Sequence, residues 1–221
     1  MKTAMSKPEE TERLQDLGRA SMQIVHDLKN QLNGLKLYAT FLRRRIEKSE
    51  RPEDEQETIS KLIGGLDRAA EDLSTIVRYA QRVELKKQPG FELDKVLRTI
   101  CASFDPQIVW DEGSDVVQGS FDHFKLTDAL KWVCAGALKH RHQNENEAGV
   151  ITVSVKATDS GQAVVEWSGL RPLDRDPFRS FAGSDEVKLA LAAKIIEAHG
   201  GSAKFIDKKF VVELPLSVDN K

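Results

Sequence analysis

The stretch VHDLKNQLNGLKLYATFLRRRI, residues 25–46, decides the fold of the N-terminal part of this chain. Apolar residues recur in it at alternating spacings of three and four: Val25, Leu28, Leu32, Leu35, Ala39, Leu42 and Ile46. No proline interrupts the chain between Thr11 and Lys48. This pattern predicts one long amphipathic helix with a coiled-coil-like apolar seam.

A second helical pattern follows after a charged loop that contains Pro52. Its apolar positions are Ile59, Leu62, Leu66, Ala69, Leu73, Ile76 and Val77. Two long helices joined by a short connection predict an antiparallel hairpin. Additional apolar residues widen the stripe beyond one seam: Leu17, Ile24, Leu37, Phe41 and Ile63. A lone hairpin leaves such a surface in water, so we expect two copies to form a homodimeric four-helix bundle.

The pattern of apolar residues changes after KKQPG, residues 86–90, which we interpret as a linker. Short helical and alternating patterns then follow one another, as in an α/β domain. We predict helices at 92–102, 124–141 and 187–199, a strand within 108–118, a hairpin of strands 151–157 and 163–167, and a final strand at 210–216. The expected fold class is α+β: a helical hairpin followed by a two-layer α/β sandwich with a mixed sheet. The expected domains are a flexible N-terminus at 1–9, the hairpin at 10–86 and the sandwich at 91–221.

Composition excludes several classes of function. The 221 residues carry a formal net charge of −2 with both signs interspersed, so no field attracts nucleic acid or an anionic membrane. No apolar run approaches the roughly 20 residues that span a bilayer. Cys101 and Cys134 are the two cysteines and lack a metal-ligand spacing, so we expect both to be reduced and structural. We therefore expect a cytoplasmic protein that acts on a soluble partner.

The residues with chemical potential lie beside the apolar seam of the first helix. His26, Lys29 and Asn30 fall at i, i+3 and i+4 on a stripe that faces solvent. An accessible imidazole near its ordinary pKa is a competent nucleophile toward phosphorus, and the adjacent Asp27 carboxylate can hold one ring N–H. Asn30, one turn on, can donate a hydrogen bond to a phosphoryl oxygen.

His-Asp-x-x-Asn at residues 26–30 resembles the phosphoacceptor box of histidine kinases, in which a proline usually follows the asparagine. Gln31 replaces that proline here, so we expect no kink at this point of the helix. The resemblance also implies a long helical hairpin that carries the box in its first helix.

The second half resembles the ATP-binding domain of histidine kinases, the GHKL ATPase fold, but without its functional residues. Residues 122–140 are similar to the family helix with the pattern D-x-x-x-L-x-x-x-L-x-N-L-x-x-N-A-x-K-H, and its two asparagines fall on Trp132 and Gly136. Residues 164–169 resemble the strand that ends in Asp-x-Gly. The aspartate, which recognises adenine in the family, falls on Trp167.

The stretch from residue 184 to 201 resembles the glycine-rich lid of the family and the helix that follows it. The three lid glycines fall on Ser184, Glu186 and Lys188. Side chains at these positions keep backbone N–H groups away from a triphosphate, and the Glu186 carboxylate repels it. Together with the loss of the asparagine and the aspartate, this predicts that the domain does not bind ATP.

A phosphoacceptor hairpin joined to a degenerate ATP domain resembles the histidine phosphotransferases derived from histidine kinases. This resemblance implies that His26 relays a phosphoryl group between the aspartates of response-regulator receiver domains. Asp27 would orient and activate His26, and Lys29 with Asn30 would shape the phosphoryl environment. We expect no cofactor on this chain, because the receiver carries the magnesium ion. The ATPase-like domain would serve as a docking surface.

Three other functions remain open at this stage. An active histidine kinase with a divergent site would bind ATP, a receiver phosphatase would use Asn30 without phosphorylating His26, and a dimeric adaptor would need neither residue. His140 and His199 are expected to be packing or capping residues. Trp132 and Trp167 are expected to fill the vacated nucleotide cavity.

Overall fold

The computed structural model describes residues 25, 28–44, 46, 53–144, 147–181 and 183–216. They fall into two compact units that divide between Gln81 and Arg82. The first unit contains helix α1, helical at residues 28–44, and helix α2 (Glu53–Ala80). The elements of the second unit, in chain order, are β1 (Gln88–Glu92), α3 (Leu93–Ala102), β2 (Ile108–Trp110), β3 (Gln118–Phe121), α4 (His123–Lys139), β4 (Gln143–Asn144), β5 (Glu147–Ala148), β6 (Ile151–Ala157), β7 (Gln162–Ser168), a 3-10 turn (Pro177–Arg179), α5 (Ser184–Ala198), β8 (Ser202–Ile206) and β9 (Lys209–Pro215).

Helices α1 and α2 pack as a hairpin through small and branched apolar side chains. The buried cluster between them consists of Ala39, Ile46, Ile59 and Ile63, with Leu66 packed against it. An ion pair of 2.5 Å between Lys36 Nζ and Asp67 Oδ1 joins the helices farther along their length. An earlier residue of α1, Lys36, thus contacts a later residue of α2, Asp67, whereas the later Ile46 lies with the earlier Ile59. The two helices are therefore antiparallel.

The predicted seam of α1 divides into two series with different surroundings. Ala39 and Ile46 are buried in the hairpin, whereas Leu28, Leu35 and Leu42, which are also seven residues apart, are 44%, 54% and 49% exposed. Other large apolar side chains of the first unit are exposed as well: Leu37, Tyr38, Phe41, Leu62 and Ile76. Periodicity therefore identifies the apolar positions of α1, but not the helix that each of them contacts.

The KKQPG stretch, residues 86–90, is part of the second unit and not a linker. The Lys86 backbone N–H donates to Asp122 Oδ2 at 2.9 Å, and β1 begins at Gln88. β1 pairs with β3 in an antiparallel two-stranded sheet, with an irregular register between Gln88 and Phe91. A glycine at position 90, with φ of +84°, permits this irregularity where a side chain would be strained.

The main sheet of the second unit has five strands in the order β2-β6-β7-β9-β8. β2 runs parallel to β6, and the other neighbouring pairs are antiparallel, so the sheet is mixed as predicted. Residues alternate along the central strands between buried and more exposed positions, as in β6, where Ile151, Val153 and Val155 are fully buried. This alternation gives the sheet one apolar face.

Helices cover that apolar face and complete a two-layer sandwich. α4 and α5 contact each other, and both contribute fully buried side chains such as Leu130 and Leu189. The predicted α+β class and the α/β sandwich are confirmed. Five strands, β1, β3, β4, β5 and β8, were not predicted. β4 and β5 have only two residues each, and in β1, β3 and β8 a glycine lies within the strand or immediately before it.

A buried polar network ties the start of the second unit to its two central helices. Asp122 caps α4 by accepting from the Lys125 N–H at 3.0 Å, and its own N–H donates to His199 Nε2 at 3.0 Å. His199 caps the C-terminus of α5, and its Nδ1 lies 2.8 Å from the Ile195 carbonyl oxygen. Because Nε2 accepts, the proton of the neutral ring is on Nδ1 and is donated to Ile195. The expected capping role of His199 is confirmed.

This geometry makes the stability of the second unit sensitive to acid. Burial lowers the pKa of His199 below the ordinary value of 6.5, and burial together with Arg171 and Lys139 lowers the pKa of His140. The unfolded chain therefore binds more protons below about pH 6.5, and the free energy of unfolding should fall from there as the pH drops toward the folded-state pKa values.

Urea unfolding of His199→Gln between pH 7.5 and 5.5 should show a smaller loss of stability on acidification than the wild-type chain, although the variant starts from a lower stability. His142→Gln, which removes an exposed imidazole, is the control and should follow the wild type. An unchanged acid dependence in His199→Gln would show that this imidazole is not a source of the sensitivity.

Candidate functional site

The structure describes two of the four site residues proposed from the sequence, Lys29 and Asn30. His26 and Asp27 fall outside the described residues. Lys29 and Asn30 lie in the helix, with Lys29 half-buried and Asn30 exposed to solvent. Asn30 is therefore accessible on the hairpin surface. This exposure agrees with the prediction that it lies on a solvent-facing polar stripe. The juxtaposition of all four residues remains a prediction of the helical spacing.

Helix α4 has the bounds and the N-cap that the resemblance implies. It begins directly after Asp122 and ends at Lys139, and His140 caps its C-terminus. At the two positions of the family asparagines, Trp132 is half-buried and Gly136 is buried. Neither side chain offers an oxygen ligand for a magnesium ion. The expected capping role of His140 is confirmed, and the ring stacks edge-on against Phe210 with centroids 6.2 Å apart.

The space beside Gly136 is filled by a leucine of the other central helix. A Cβ atom at position 136 would lie 2.7 Å from both Cδ atoms of Leu189, whose side chain is fully buried. Real Cβ atoms do not approach a neighbour so closely, so this glycine permits α5 to pack directly on α4. The Leu189 side chain thus occupies the volume that a larger side chain at position 136 would need.

Trp167 fills the position of the adenine-recognising aspartate with a large side chain. It is fully buried at the end of β7, and its Nε1–H donates to Cys134 Sγ of α4 at 3.2 Å. Cys101 and Cys134 are both buried and carry free thiols, as expected from the sequence. The indole therefore forms part of the core, and it presents no carboxylate to an adenine amino group.

The three positions of the lid glycines lie inside helix α5 and not in a loop. Ser184 is its first residue, and Glu186 and Lys188 follow within its first two turns. The Ser180 hydroxyl donates to Glu186 Oε2 at 2.9 Å, and Lys139 Nζ pairs with Asp185 Oδ2 at 3.2 Å. Of the three positions, only Lys188 has its backbone N–H within the helical hydrogen-bond ladder. The N–H groups of Ser184 and Glu186 lie in the first turn, where the carboxylates of Asp185 and Glu186 repel a triphosphate.

The sequence interpretation missed a group of basic residues at the C-terminal end of α4. Lys139, Arg141, His142 and Arg171 line one cavity together with Pro172. They come from two segments about thirty residues apart, and the motifs gave no sign that these segments meet. Among the residues that the structure describes, no group of three His, Cys, Asp or Glu side chains is placed to bind a metal ion. No helix within those residues is long and apolar enough to cross a membrane.

Comparison with known proteins finds similarity in structure. No family model and no curated protein matches the sequence. Full-length ShkA in complex with AMPPNP has a TM-score of 0.67 and 20% identity over 88% of this chain. The histidine kinase ThkA in complex with the response regulator TrrA has a TM-score of 0.63 and 19% identity over 97% of this chain. The histidine kinase AdeS of Acinetobacter baumannii has a TM-score of 0.57 and 18% identity over 88%.

These similarities establish the fold. The chain has a histidine-kinase-like arrangement of N-terminal helices followed by an α/β domain of the ATP-binding type. It spans 45% of ShkA and 66% of ThkA, and 98% of AdeS. Identities of about 20% do not transfer chemistry, so the activity has to be argued from this chain's own residues.

Enlarging Gly136 should destabilise the second unit, although glycine is usually unfavourable within a helix. Gly136→Ala should lower the free energy of unfolding by about 1–3 kcal/mol, because the new methyl group collides with Leu189. Leu189→Ala removes the obstacle, so the two changes together should cost about 1–2 kcal/mol less than their sum. Urea unfolding of the four proteins in this double-mutant cycle measures the coupling, and simple additivity would show that the two side chains do not compete for the same space.

Proposed function

We propose that this protein is a histidine phosphotransferase of a two-component system, which relays a phosphoryl group between receiver-domain aspartates through His26 without using ATP. The observation that supports the proposal is the packing at the positions of the family's nucleotide-binding residues. Trp167 is fully buried at the position of the adenine-recognising aspartate, Leu189 is fully buried against Gly136 at the position of the metal-binding asparagine, and the lid positions are helical. A kinase-like fold that keeps a phosphoacceptor box but loses the space for ATP needs another phosphoryl donor.

The chemistry follows from an exposed imidazole next to a carboxylate. A ring nitrogen of His26 attacks the phosphorus of the aspartyl phosphate on the donor receiver, and the bond between phosphorus and the aspartate oxygen breaks. The donor aspartate leaves as a carboxylate, and His26 becomes a phospho-imidazolium. Asp27 stabilises the positive charge of that ring. The acceptor receiver takes the phosphoryl group by the reverse sequence.

Asn30 and Lys29 shape the surroundings of the phosphoryl group in this proposal. Asn30 is exposed one helical turn from His26, where its amide N–H groups reach a phosphoryl oxygen. Lys29 is half-buried, so its aliphatic part packs on the hairpin while its ammonium group reaches solvent. The magnesium ion that such transfers need is supplied by the receiver. No metal cluster on the described part of this chain is required.

A response-regulator receiver is the proposed partner. ThkA, which has the same fold, is known in complex with a response regulator. The exposed Asn30 lies on the surface that a receiver has to approach in order to bring its aspartate to His26. The second unit would contribute to docking, and the proposed location is the cytoplasm, where receivers act.

Two phosphoryl donors, a phosphorylated receiver and ATP, test the proposal. Incubation with a phosphorylated receiver should label this chain in an acid-labile form, whereas ATP labelled in its γ-phosphate should give no label. His26→Ala should abolish labelling and leave the far-UV circular dichroism unchanged. Asn30→Ala should accept the label, with a changed rate of its loss to water, because the carboxamide does not touch the attacking nitrogen.

Each contrary result selects one alternative. Labelling from ATP would identify an active kinase. Normal labelling of His26→Ala would refute His26 as the carrier. Receiver dephosphorylation that survives His26→Ala and is lost in Asn30→Ala would identify a phosphatase. If neither substitution changes any of these reactions, the protein is an adaptor.

The second part of the proposal is a homodimer formed through the exposed apolar face of the hairpin. Leu28, Leu35 and Leu42 repeat every seven residues on α1, and this spacing suits a neighbouring parallel or antiparallel helix. An exposed stripe of this length is unusual for a monomer. A second copy with the same stripe covers it and completes a four-helix bundle.

Leu35→Glu should convert the dimer to a monomer, because pairing would bury an unpaired carboxylate at a cost on the order of several kcal/mol. Light scattering at micromolar concentration measures the mass of the particle. Ser60→Glu adds the same charge at an exposed polar position of α2 and should remain dimeric. A monomeric wild-type chain, or a dimeric Leu35→Glu, would contradict the proposed interface.

A further inference from the structure

A basic cavity lies at the end of α4. It has a volume of about 460 Å³, and Lys139, Arg141, His142, Arg171 and Pro172 line it. None of the family asparagine, aspartate or lid positions lines this cavity. Four of the five lining residues carry basic groups, and no carboxylate is among them. Its volume is in the range of sites that bind small molecules.

Backbone hydrogen bonds hold the two walls of the cavity in place. The Arg171 N–H donates to the His140 carbonyl oxygen at 2.9 Å, and the His142 N–H donates to the Gly169 carbonyl oxygen at 2.8 Å. Arg141 forms an antiparallel bridge with Leu170 between these two bonds. These backbone bonds fix the positions of the two segments that carry the cationic side chains. The site is therefore largely pre-formed.

Neither guanidinium group in this cavity forms an ion pair with an acid among the residues whose side chains the structure describes, which excludes residues 143–148. Arg141 Nη1 donates to Gln107 Oε1, a neutral acceptor, at 2.8 Å, and Arg141 Nε is buried without an acceptor. The Lys139 ammonium is compensated by Asp185 at 3.2 Å. A buried donor without a partner costs about 1–3 kcal/mol, so the cavity is incomplete by itself. A bound anion would supply the missing acceptors and charge.

The neighbouring His140 lies close enough to the cavity for its pKa to depend on the charges there, including those of Glu186 and Asp185, which raise it. After burial, the next causes that lower the pKa of its ring are the charges of Arg171 and Lys139. Both ring nitrogens are buried and lack hydrogen-bond partners. The imidazole therefore responds to the charge in the cavity without lining it, and it can report whether an anion is bound.

We propose that this cavity binds a compact polyanion that carries two or more phosphate or carboxylate groups. Guanidinium groups bind such oxyanions through paired N–H donors, and two arginines with a lysine at the rim suit a ligand with two charged ends. The size of the cavity favours a small soluble molecule. This site is additional to the phosphotransfer proposed at His26 and does not depend on it.

Calorimetric titration of the full chain with inorganic pyrophosphate, and separately with citrate, at physiological salt and without magnesium tests the proposal. One saturable site per chain is expected for at least one of them, and the stronger probe identifies phosphate or carboxylate as the preferred group. Arg171→Gln should weaken binding at least about tenfold, since a charge-assisted pair is lost while its backbone N–H bond remains. Arg175→Gln, which removes the same charge from an exposed position outside the cavity, should bind as the wild type does.

A second readout separates a real site from diffuse attraction. Saturation with the bound probe should raise the pKa of His140, measured by NMR of the imidazole, because the anion offsets the charges of Arg171 and Lys139. Arg171→Gln should abolish that response. The proposal is overturned if neither probe saturates at millimolar concentration, if Arg171→Gln and Arg175→Gln weaken binding equally, or if the pKa of His140 does not move. Phosphotransfer is not measured here, so none of these outcomes decides the role of His26.

Discussion

The direct packing of α5 on α4 is the constraint on which the second half of this protein depends. Leu189 lies against Gly136 at a distance that no larger residue at position 136 would permit, and Trp167 is buried beside Cys134 of the same helix. The apolar side chain of Leu189 fills the space between the two helices.

Polar groups around this contact satisfy one another. Glu186 accepts a hydrogen bond from the Ser180 hydroxyl. Lys139, which matches a lysine of the family helix, forms an ion pair with Asp185. The buried Asp122 and His199 connect the beginning of the unit to α4 and α5. These contacts hold the second unit together as one folded body. Such a body is suited to the docking role that a phosphotransferase of this architecture requires, while the exposed hairpin presents the residues proposed to carry the phosphoryl group.

Much of the fold was predictable because alternation and helical periodicity reflect burial directly. The strands β6 and β7 and the bounds of α4 followed from these patterns within about two residues. The residues that each apolar side chain contacts were not predictable. Only the structure shows that Ala39 is buried in the hairpin whereas Leu35 is exposed. The identities of Trp167 and Gly136 predicted the loss of a ligand site. The basic cavity was missed because Arg141 and Arg171 are distant in sequence and belong to no motif.

The proposal that this chain does not bind ATP is tested most directly by a calorimetric comparison of magnesium ATP with magnesium tripolyphosphate, which carries the phosphates without the base. If Trp167 and Leu189 fill the adenine and metal positions, the two titrations should be indistinguishable, since any residual heat comes from phosphates in the basic cavity. Tighter saturation by ATP than by tripolyphosphate would show that an adenine site persists and would contradict this account.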